Sequence, residues 1–449
     1  MQTNPDPTRP RYHFCAPTGW MNDPNGAIFH QGWYHVFYQW NPNGDQWGDI
    51  HWGHARSRDL VAWEHLPVAL EPDAASGEEH CFSGCLALRA AQPPIILYTA
   101  IGPQMTSGES AQQLAALGDD DLISWQKHPR NPILTAQIHG ELDVLEWRDP
   151  FIFTDSGRTF LLLGGKLTPK DGGDPVILLY EAQDPTLEQW TYRRVFFRHP
   201  DKTRASAECP NFFKSGPKWV LLLSADKQVE YYVGDFDADA GSFTPHTSGL
   251  LNGSEHFYAT NLLLDDQQRC ICFGWVRGFA PGRGWSGCHA LPRVLWLDEQ
   301  GRLHQTPAPE LNLLHGPGFH TCDVPLGGYP VPGFESDTFE VRAVIAGQAP
   351  ASFGIRLIPT NKQAQTITLT CAPDETRLQD MVILYRRDGE AAVDIRLFLD
   401  CSVVEVFIDD CASLTLTLPP IASSYRIELF SEGAASLRRL DVWRMDNVR

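Results

Sequence analysis

Apolar and polar residues alternate over short stretches along almost the whole chain. Runs of four to six residues rich in Val, Ile, Leu, Phe, Tyr and Trp recur between turn residues, for example at 33–38, 95–98, 160–163 and 219–223. Gly, Pro, Asn and Asp separate these runs, and no long stretch has the apolar spacing of an amphipathic helix. The pattern therefore predicts an all-β protein.

A turn phrase of the form Asp-Leu-x-x-Trp repeats within this pattern. It occurs twice in full and once in a stretched form, and two Gly-containing turns continue it at the same interval of about 60 residues. The closing residues of the five copies are Trp63, Trp125, Trp190, Phe243 and Leu303. Five units of about four strands each predict a five-bladed β-propeller over residues 1–314. Chance recurrence of one turn in a Trp-rich chain is the alternative, and five copies in register weigh against it.

The pattern changes after Leu314. Residues 315–335 are rich in Gly and Pro and are predicted to form a linker. Residues 336–449 no longer follow the repeat. They contain several stretches of strictly alternating apolar and polar residues, which predict a C-terminal antiparallel β-sandwich.

Composition narrows the range of functions. A chain of 449 residues exceeds what one compact core usually supports, in agreement with two domains. The net charge of −19 argues against nucleic acid or an anionic membrane as a partner, and no apolar stretch approaches a membrane span. The first ten residues lack a basic segment followed by an apolar run, so we expect a cytoplasmic protein. The 11 scattered cysteines favour buried thiols over a disulfide framework.

Three acidic residues occupy nearly the same position in three of the five units. Asp23, Asp149 and Glu208 precede the closing residue of their units by 40, 41 and 35 residues. Each stands where a turn leads into an apolar strand, with a proline one or two residues later. The residues at this position in the other two units are Phe82, Ser83, His256, Phe257 and Tyr258. Because the early strand of each blade faces the propeller axis, we predict that the three carboxylates share one central pocket.

The motifs around these residues resemble those of glycoside hydrolase family 32, which holds invertases, inulinases, levanases and sucrose-6-phosphate hydrolases. The similar segments are 9–26, 37–42, 47–54, 148–150, 208–209 and 399–407. They follow the family's order over nearly the whole chain. The resemblance implies a retaining β-fructofuranosidase that acts on sucrose and short fructo-oligosaccharides.

The resemblance also implies a role for each carboxylate. Asp23 is then the nucleophile, Glu208 the general acid/base and Asp149 a stabiliser of the transition state. The substrate-binding residues that it implies are Asn22, Gln39, Trp47, Phe82, Ser83, Arg148, Cys209, Tyr258 and Trp275. No metal ion or other cofactor is expected, because carboxylates alone serve an oxocarbenium-like transition state. A structural ion pair is the alternative for Arg148, and a strand core is the alternative for Gln39 and Trp47.

Other functions are compatible with the same motifs. A fructosyltransferase would pass the covalent intermediate to a sugar hydroxyl, and a sucrose-6-phosphate hydrolase would need basic side chains at the rim. The candidate phosphate donors are Lys166, Arg277 and Arg283. A carbohydrate-binding propeller without activity would normally have lost one of the carboxylates. Association of copies of the chain through the sandwich is a further expectation.

Two positions have no assigned role. His256 stands where family members often carry Asp before a Phe-Tyr-Ala segment, which points to the rim rather than to the bond that is cut. Cys81 and Cys85 flank Phe82, and two free thiols are expected there, with a disulfide or a metal pair as the alternatives.

Overall fold

The computed structural model describes residues 6–102, 111–347, 352–385 and 392–445, and it confirms the predicted all-β fold. Five mainly antiparallel sheets form the N-terminal domain, and two six-stranded sheets form the C-terminal domain. The helical elements in these ranges are short 3-10 turns at Ala74–Ser76, Ala136–His139, Pro169–Asp171 and Pro309–Leu314. None of the helices among the described residues is long and apolar enough to cross a membrane.

The five N-terminal sheets are the blades of the predicted propeller. Blade I contains β1 (Gly19–His30), β2 (Trp33–Asn41), β3 (His51–Ser57) and β4 (Trp63–Leu70). Blade II contains β5 (His80–Arg89), β6 (Gln92–Ile101), β7 (Gln112–Gly118) and β8 (Trp125–Lys127). Blade III contains β9 (Val144–Asp155), β10 (Arg158–Leu167), β11 (Pro175–Ala182) and β12 (Trp190–Arg198). Blade IV contains β13 (Glu208–Ser215), β14 (Lys218–Ser224), β15 (Val229–Asp237) and β16 (Ser242–Leu250).

Blade V closes the ring against blade I. Its strands are β17 (Phe257–Leu264), β18 (Cys270–Val276), β20 (Cys288–His289), β21 (Arg293–Leu297) and β22 (Leu303–Pro307). The intervening strand β19 (Trp285–Ser286) belongs to the sheet of blade I. The short strand β19 pairs in parallel with the start of β1, whereas β20 pairs with β18. The inner strands β1, β5, β9, β13 and β17 are neighbours in this order, and β17 lies beside β1.

The repeated turn phrase marks the start of the outer strand of each blade. In the first three blades the indole N–H of the closing tryptophan donates to the carbonyl of the leucine three residues earlier. The N···O distances are 3.2 Å for Leu60, 2.9 Å for Leu122 and 3.0 Å for Leu187. Each leucine is buried and adopts a positive φ of 61°, 62° or 58°. The turn thus combines a buried apolar side chain with an indole donor, which explains why both residue types recur.

Every inner strand carries a β-bulge at the same level. The register with the second strand of the blade shifts between Met21 and Pro24, Cys81 and Gly84, Arg148 and Phe151, Glu208 and Asn211, and Tyr258 and Asn261. A bulge opposes an extra residue to the partner strand and re-aims the side chains around it. The predicted site residues of the inner strands therefore lie at or beside a bulge.

The C-terminal domain is a sandwich of two antiparallel sheets. One sheet has the order β23 (His315–Leu326), β34 (Ala435–Met445), β25 (Thr338–Gly347), β30 (Val393–Asp400), β31 (Val403–Ile408) and β32 (Ala412–Thr417). The other has the order β24 (Tyr329–Pro330), β33 (Tyr425–Glu432), β26 (Ser352–Pro359), β27 (Ile367–Cys371), β28 (Glu375–Leu378) and β29 (Met381–Leu384). The facing sides of the two sheets bury one apolar core.

The segment predicted as a linker, 315–335, differs from that prediction. Its first part is β23, an edge strand that pairs with β34 along almost its whole length, and β24 also belongs to the sandwich. Gly and Pro are tolerated in an edge strand because one side of it needs no ladder donors. The sandwich therefore begins at His315 rather than at 336. The outer ends of the predicted domains, 1–5 and 446–449, lie outside the described residues.

A buried charged cluster joins the two domains. His13 Nδ1 lies 2.8 Å from Asp400 Oδ2, and His13 Nε2 lies 3.1 Å from Glu405 Oε1. Arg293 Nη2 donates to Glu405 Oε2 over 2.5 Å. The backbone N–H groups of residues 11–13 donate to the Asp400 carboxylate. The N-terminal segment, blade V and the sandwich thus share one network.

His13 is charged in this network near neutral pH. Burial alone would lower the pKa of His13, but its hydrogen bonds to Asp400 and Glu405 raise that pKa to about 9. The imidazolium thereby compensates two carboxylates that are almost completely shielded from water.

We expect His13→Ala to lower the free energy of unfolding by about 3 kcal/mol near neutral pH, because it removes a cation from between buried carboxylates. The folded-state pKa of about 9 exceeds the value of about 6.5 for an unfolded histidine. The contribution is therefore complete below about pH 6.5 and is lost as pH rises through about 9. Urea unfolding of both proteins from about pH 6 to about pH 10 measures this difference.

His320→Ala is the matched control, since that histidine also pairs with an aspartate, Asp441, but has a side chain that is 62% exposed. Its effect should stay below about 1 kcal/mol. A His13→Ala difference that is equal at neutral and alkaline pH would contradict the assigned charge.

Candidate active site

The five inner strands surround one pocket at the propeller axis. The cavity has a volume of about 520 Å³, which is in the usual range for a small-molecule site. Ten of the residues predicted from the sequence line it: Asn22, Asp23, Gln39, Trp47, Phe82, Arg148, Asp149, Glu208, Tyr258 and Trp275. The three carboxylates, which occupy the same position in the sequence repeat, therefore also lie in the same pocket.

Asp23 is held by three side-chain donors. Asn22 Nδ2 donates to its Oδ1 over 3.0 Å, Ser83 Oγ donates to its Oδ2 over 2.5 Å, and Cys209 Sγ lies 3.6 Å from Oδ2. Gln39 accepts from Asn22 and donates to Ser83 Oγ, so one amide fixes two of these donors. Burial raises the pKa of Asp23, and the three hydrogen bonds oppose that rise.

Ser83 and Cys209, which were predicted to bind substrate, lie behind the carboxylates rather than in the pocket lining. Both are buried, with exposures of 4% and 7%. The Cys209 thiol lies 3.5 Å from Asp149 Oδ2 as well as close to Asp23, and burial raises its pKa well above the ordinary thiol value. A neutral thiol can donate its one proton to either carboxylate, so Ser83 and Cys209 both support the carboxylates from behind.

Asp149 is fixed through its backbone and its side chain. Its N–H donates to Thr99 Oγ1 over 3.0 Å, and its Oδ2 accepts the N–H of Cys209 over 2.9 Å. Thr99 Oγ1 in turn donates to Gln113 Oε1 over 2.7 Å. Asp149 and Cys209 both adopt a positive φ, 61° and 47°, at the bulges of β9 and β13. The second strand of blade II thus stabilises a strained residue of blade III.

The guanidinium of Arg148 lies close to the three carboxylates. Arg148 forms an ion pair with Glu146, and its Nη1 lies 3.8 Å from Glu208 Oε1. Burial raises the pKa of Asp149 to about 7; Arg148 opposes the rise, whereas Asp23 and Glu208 add to it. The predicted ion-pair role of Arg148 is therefore present together with its place in the pocket lining.

Glu208 is paired with a tyrosine from the next blade. Tyr258 OH donates to Glu208 Oε2 over 2.7 Å and accepts the N–H of Asp226 over 2.9 Å. The guanidinium of Arg277 lies 4.1 Å from the centroid of the Tyr258 ring. The orientation of Glu208 therefore depends on a stacked and doubly hydrogen-bonded tyrosine.

Aromatic rings form the upper wall of the pocket. Trp47 is 45% exposed, and its ring centroid lies 4.9 Å from that of His80 and 6.1 Å from that of Phe82. On another side, the rings of Trp20 and Trp275 lie 5.6 Å apart. Flat apolar surfaces beside hydrogen-bonding groups suit the two faces of a sugar ring.

Sequence reasoning missed two acidic residues of the lining, Glu146 and Asp226. Glu146 lies within the motif that contains Arg148 and could have been included by proximity. Asp226 follows the end of β14, and Ser224 of that strand pairs with Glu208. Asp226 could therefore have been predicted from the pairing of β13 with β14, but not from the spacing of the sequence motifs.

The three basic residues considered for phosphate recognition are not gathered in the pocket. Lys166 Nζ donates to the carbonyl of Arg204 over 2.6 Å, and Arg283 contacts Thr8 Oγ1 over 3.1 Å; neither lines the cavity. Arg277 does line it, but three of its side-chain hydrogen bonds go to backbone carbonyls.

Cys81 and Cys85 are free thiols in the structure. Cys81 Sγ donates to Glu78 Oε1 over 3.3 Å, and the neighbouring His80 accepts the N–H of Ile50. Within the described ranges, no three His, Cys, Asp or Glu side chains are arranged to hold a metal ion.

Comparison with known proteins agrees with this geometry. The family described as "Glycosyl hydrolases family 32 N-terminal domain" matches residues 13–307, and "Glycosyl hydrolases family 32 C terminal" matches residues 331–444. An insoluble β-fructofuranosidase isoenzyme of Arabidopsis thaliana is 32% identical over 344 residues, 69% of this chain and 57% of the relative. The levanase of Bacillus subtilis is 29% identical, over 98% of this chain and 71% of the relative.

A solved structure has the same architecture. The family 32 β-fructofuranosidase of Bombyx mori superposes with a TM-score of 0.83 and 25% identity, over 98% of this chain and 95% of that one. The chain spans less than two thirds of the length of the plant relative. Both domains of the family are nevertheless matched in order, and the chain belongs to glycosyl hydrolase family 32.

Proposed function

We propose that the protein is a retaining β-fructofuranosidase that releases fructose from sucrose and short fructo-oligosaccharides. The observation that carries the proposal is the convergence of Asp23, Asp149 and Glu208 on one pocket of a family 32 chain. The names of two relatives, a β-fructofuranosidase and a levanase, support the same substrate class.

Asp23 is the proposed nucleophile. The donors Asn22, Ser83 and Cys209 favour its ionised form and fix its orientation, which a carboxylate needs for attack on the anomeric carbon. Attack forms a fructosyl ester with Asp23 as the bond to the leaving oxygen breaks. Water then cleaves the ester, and two displacements retain the configuration.

Glu208 is the proposed general acid and base. It gives its proton to the leaving oxygen in the first step and removes a proton from water in the second. Tyr258 holds one carboxyl oxygen, Oε2, so that Oε1 is left for proton transfer on the side of Arg148.

Asp149 is the proposed stabiliser of the transition state. Its carboxyl group is oriented by the Cys209 N–H and lines the pocket, where it can accept hydrogen bonds from sugar hydroxyls. These bonds strengthen as positive charge develops on the ring. Asn22, Gln39 and the aromatic wall then define the position of the fructosyl group.

The charge around the pocket favours an unphosphorylated substrate. Five carboxylates line the cavity, against the two guanidinium groups of Arg148 and Arg277. Arg148 is paired with Glu146, and Arg277 donates to backbone carbonyls. A phosphate dianion on the leaving sugar would therefore meet a net negative rim.

We expect Glu208→Gln to lower kcat/KM for sucrose by about 10² to 10⁴-fold, because the amide cannot transfer a proton. Release of glucose and fructose at initial rate is the measurement. Glu146→Gln makes the same chemical change in the same pocket and should cost about tenfold or less. Wild-type turnover by Glu208→Gln would refute the assigned acid/base.

We expect sucrose to exceed sucrose 6-phosphate in kcat/KM by about tenfold or more, because of the negative rim. Fructose release from each sugar is compared at low concentration. Glu146→Gln should narrow the gap. A preference for the phosphorylated sugar would instead favour a sucrose-6-phosphate hydrolase. Release of much more glucose than fructose would indicate that the fructosyl group is transferred to other sugars.

We expect Asp149→Asn to stabilise the fold at alkaline pH while it impairs activity. The folded-state pKa of about 7 lies above the unfolded value of about 3.9, so ionisation of this buried group costs stability as pH rises between these values. The variant's advantage in unfolding free energy should therefore grow from about pH 4 to about pH 7, to on the order of 4 kcal/mol. Asp226→Asn is the control, because Asp226 is paired with Arg204. An advantage that does not change with pH would contradict the buried titration.

A further inference from the structure

His256 joins the sandwich domain to the rim of the pocket. Its Nδ1 lies 2.9 Å from the backbone N of Thr417 and 3.0 Å from Thr417 Oγ1. Thr417 is the last residue of β32, which is an edge strand of the sandwich. His256 itself directly precedes β17, the inner strand of blade V.

The same histidine is joined to residues that surround Glu208. The carbonyl of His256 accepts the N–H of Arg277 over 2.9 Å, and the Arg277 side chain donates to the carbonyl of Glu255 over 2.6 Å. The guanidinium of Arg277 covers the Tyr258 ring, and Tyr258 OH donates to Glu208. A continuous series of contacts thus leads from the sandwich to the proposed acid/base.

The close approach of the two domains at this point depends on Gly278. A Cβ atom at this position would lie 2.9 Å from Thr417 Oγ1 and 3.5 Å from His256 Nε2. The backbone of Gly278 also has a φ of 101°, a conformation that side chains disfavour. An alanine at this position would force Thr417 or its neighbours to shift and would therefore disturb the contact between His256 and Thr417.

The hydrogen bond fixes the chemical form of His256. A backbone N–H can only donate, so Nδ1 must accept from Thr417 and must be unprotonated. The charged groups around the ring are Arg277, which directly follows β18, Glu255, which precedes His256 in sequence, and Asp380 in the turn between β28 and β29. Burial and Arg277 lower the pKa of His256, whereas Glu255 and Asp380 raise it.

We propose that neutral His256 is a positioning residue through which the sandwich holds Arg277 and Tyr258 in place beside Glu208. The proposal rests on the proposed function, because Glu208 is its target. Protonation of Nδ1 removes the acceptor for the Thr417 N–H at this contact, so acid pH releases Arg277 and Tyr258 from the sandwich, while Asp23 and Asp149 keep their own hydrogen bonds.

Two substitutions test this role. His256→Ala removes the acceptor and is expected to lower kcat/KM for sucrose about tenfold. The loss should fall mainly on kcat, because the substitution disturbs the orientation of Glu208 and leaves most sugar contacts in place. His256→Asn places an amide oxygen where Nδ1 lies and should restore kcat/KM to within about threefold of wild type. Thermal unfolding of both variants shows whether each is folded at the assay temperature.

The pH profile separates positioning from simple packing. Because the amide of His256→Asn does not titrate, its kcat/KM relative to wild type should rise as pH falls below the range in which the imidazole is neutral. Gly278→Ala should reproduce the kcat loss of His256→Ala without altering the histidine. Thr417→Val keeps the backbone donor and should stay near wild type.

The possible failures are distinguishable. A folded wild-type protein that releases no fructose from sucrose or fructo-oligosaccharides would overturn the proposed function. An active wild type in which His256→Ala keeps its kcat, or in which His256→Asn is as impaired as His256→Ala, would overturn the role of His256 alone. A ratio of His256→Asn to wild type that stays constant with pH would overturn the requirement for a neutral imidazole.

Discussion

The β-bulge at one level of all five inner strands is the constraint on which the site depends. In a regular strand, consecutive side chains point to opposite faces, so only every second residue could serve an axial pocket. The bulges change this locally, and adjacent residues such as Asn22 with Asp23, or Arg148 with Asp149, both line the cavity. Motifs of neighbouring functional residues are the sequence consequence of this geometry.

The bulges are costly to form and need support from the blades. Asp149, Cys209 and Ala259 have a positive φ, which costs on the order of 1 kcal/mol or more for a residue other than glycine. The N–H of Asp149 donates to Thr99 and that of Ala259 to Ser224, and both acceptors lie on the second strand of the preceding blade. Blades II and IV therefore stabilise the strained inner strands of blades III and V.

The sequence predicted those features that depend on interactions between residues close together in the chain. The recurring turn could be found because its leucine and tryptophan, three residues apart, are joined by a hydrogen bond. The interval between successive turns then placed Asp23, Asp149 and Glu208 at the same position of the repeat. Contacts between residues that are distant in sequence produce no recognisable local motif. The place of Asp226 in the pocket and the hydrogen bond from Asp149 to Thr99 are two examples. The linker prediction at 315–335 failed because the glycines and prolines that mark a loop are also tolerated in an edge strand.

The sandwich is attached to the propeller in two chemically different ways, which explains how a domain outside the pocket can still matter to it. The cluster of His13, Asp400 and Glu405 is buried, and a shift of one domain against the other would leave its charges without partners. The cluster therefore fixes the relative placement of the domains. The contact between His256 and Thr417 is a single neutral acceptor close to the rim. Because the His13 cluster and other hydrogen bonds, such as those of Asn252 to Ser413 and Thr415, also join the domains, the contact at His256 can be made or broken without dissociating them. A local change at His256 can thus reach Glu208 through Tyr258 while the fold as a whole stays intact.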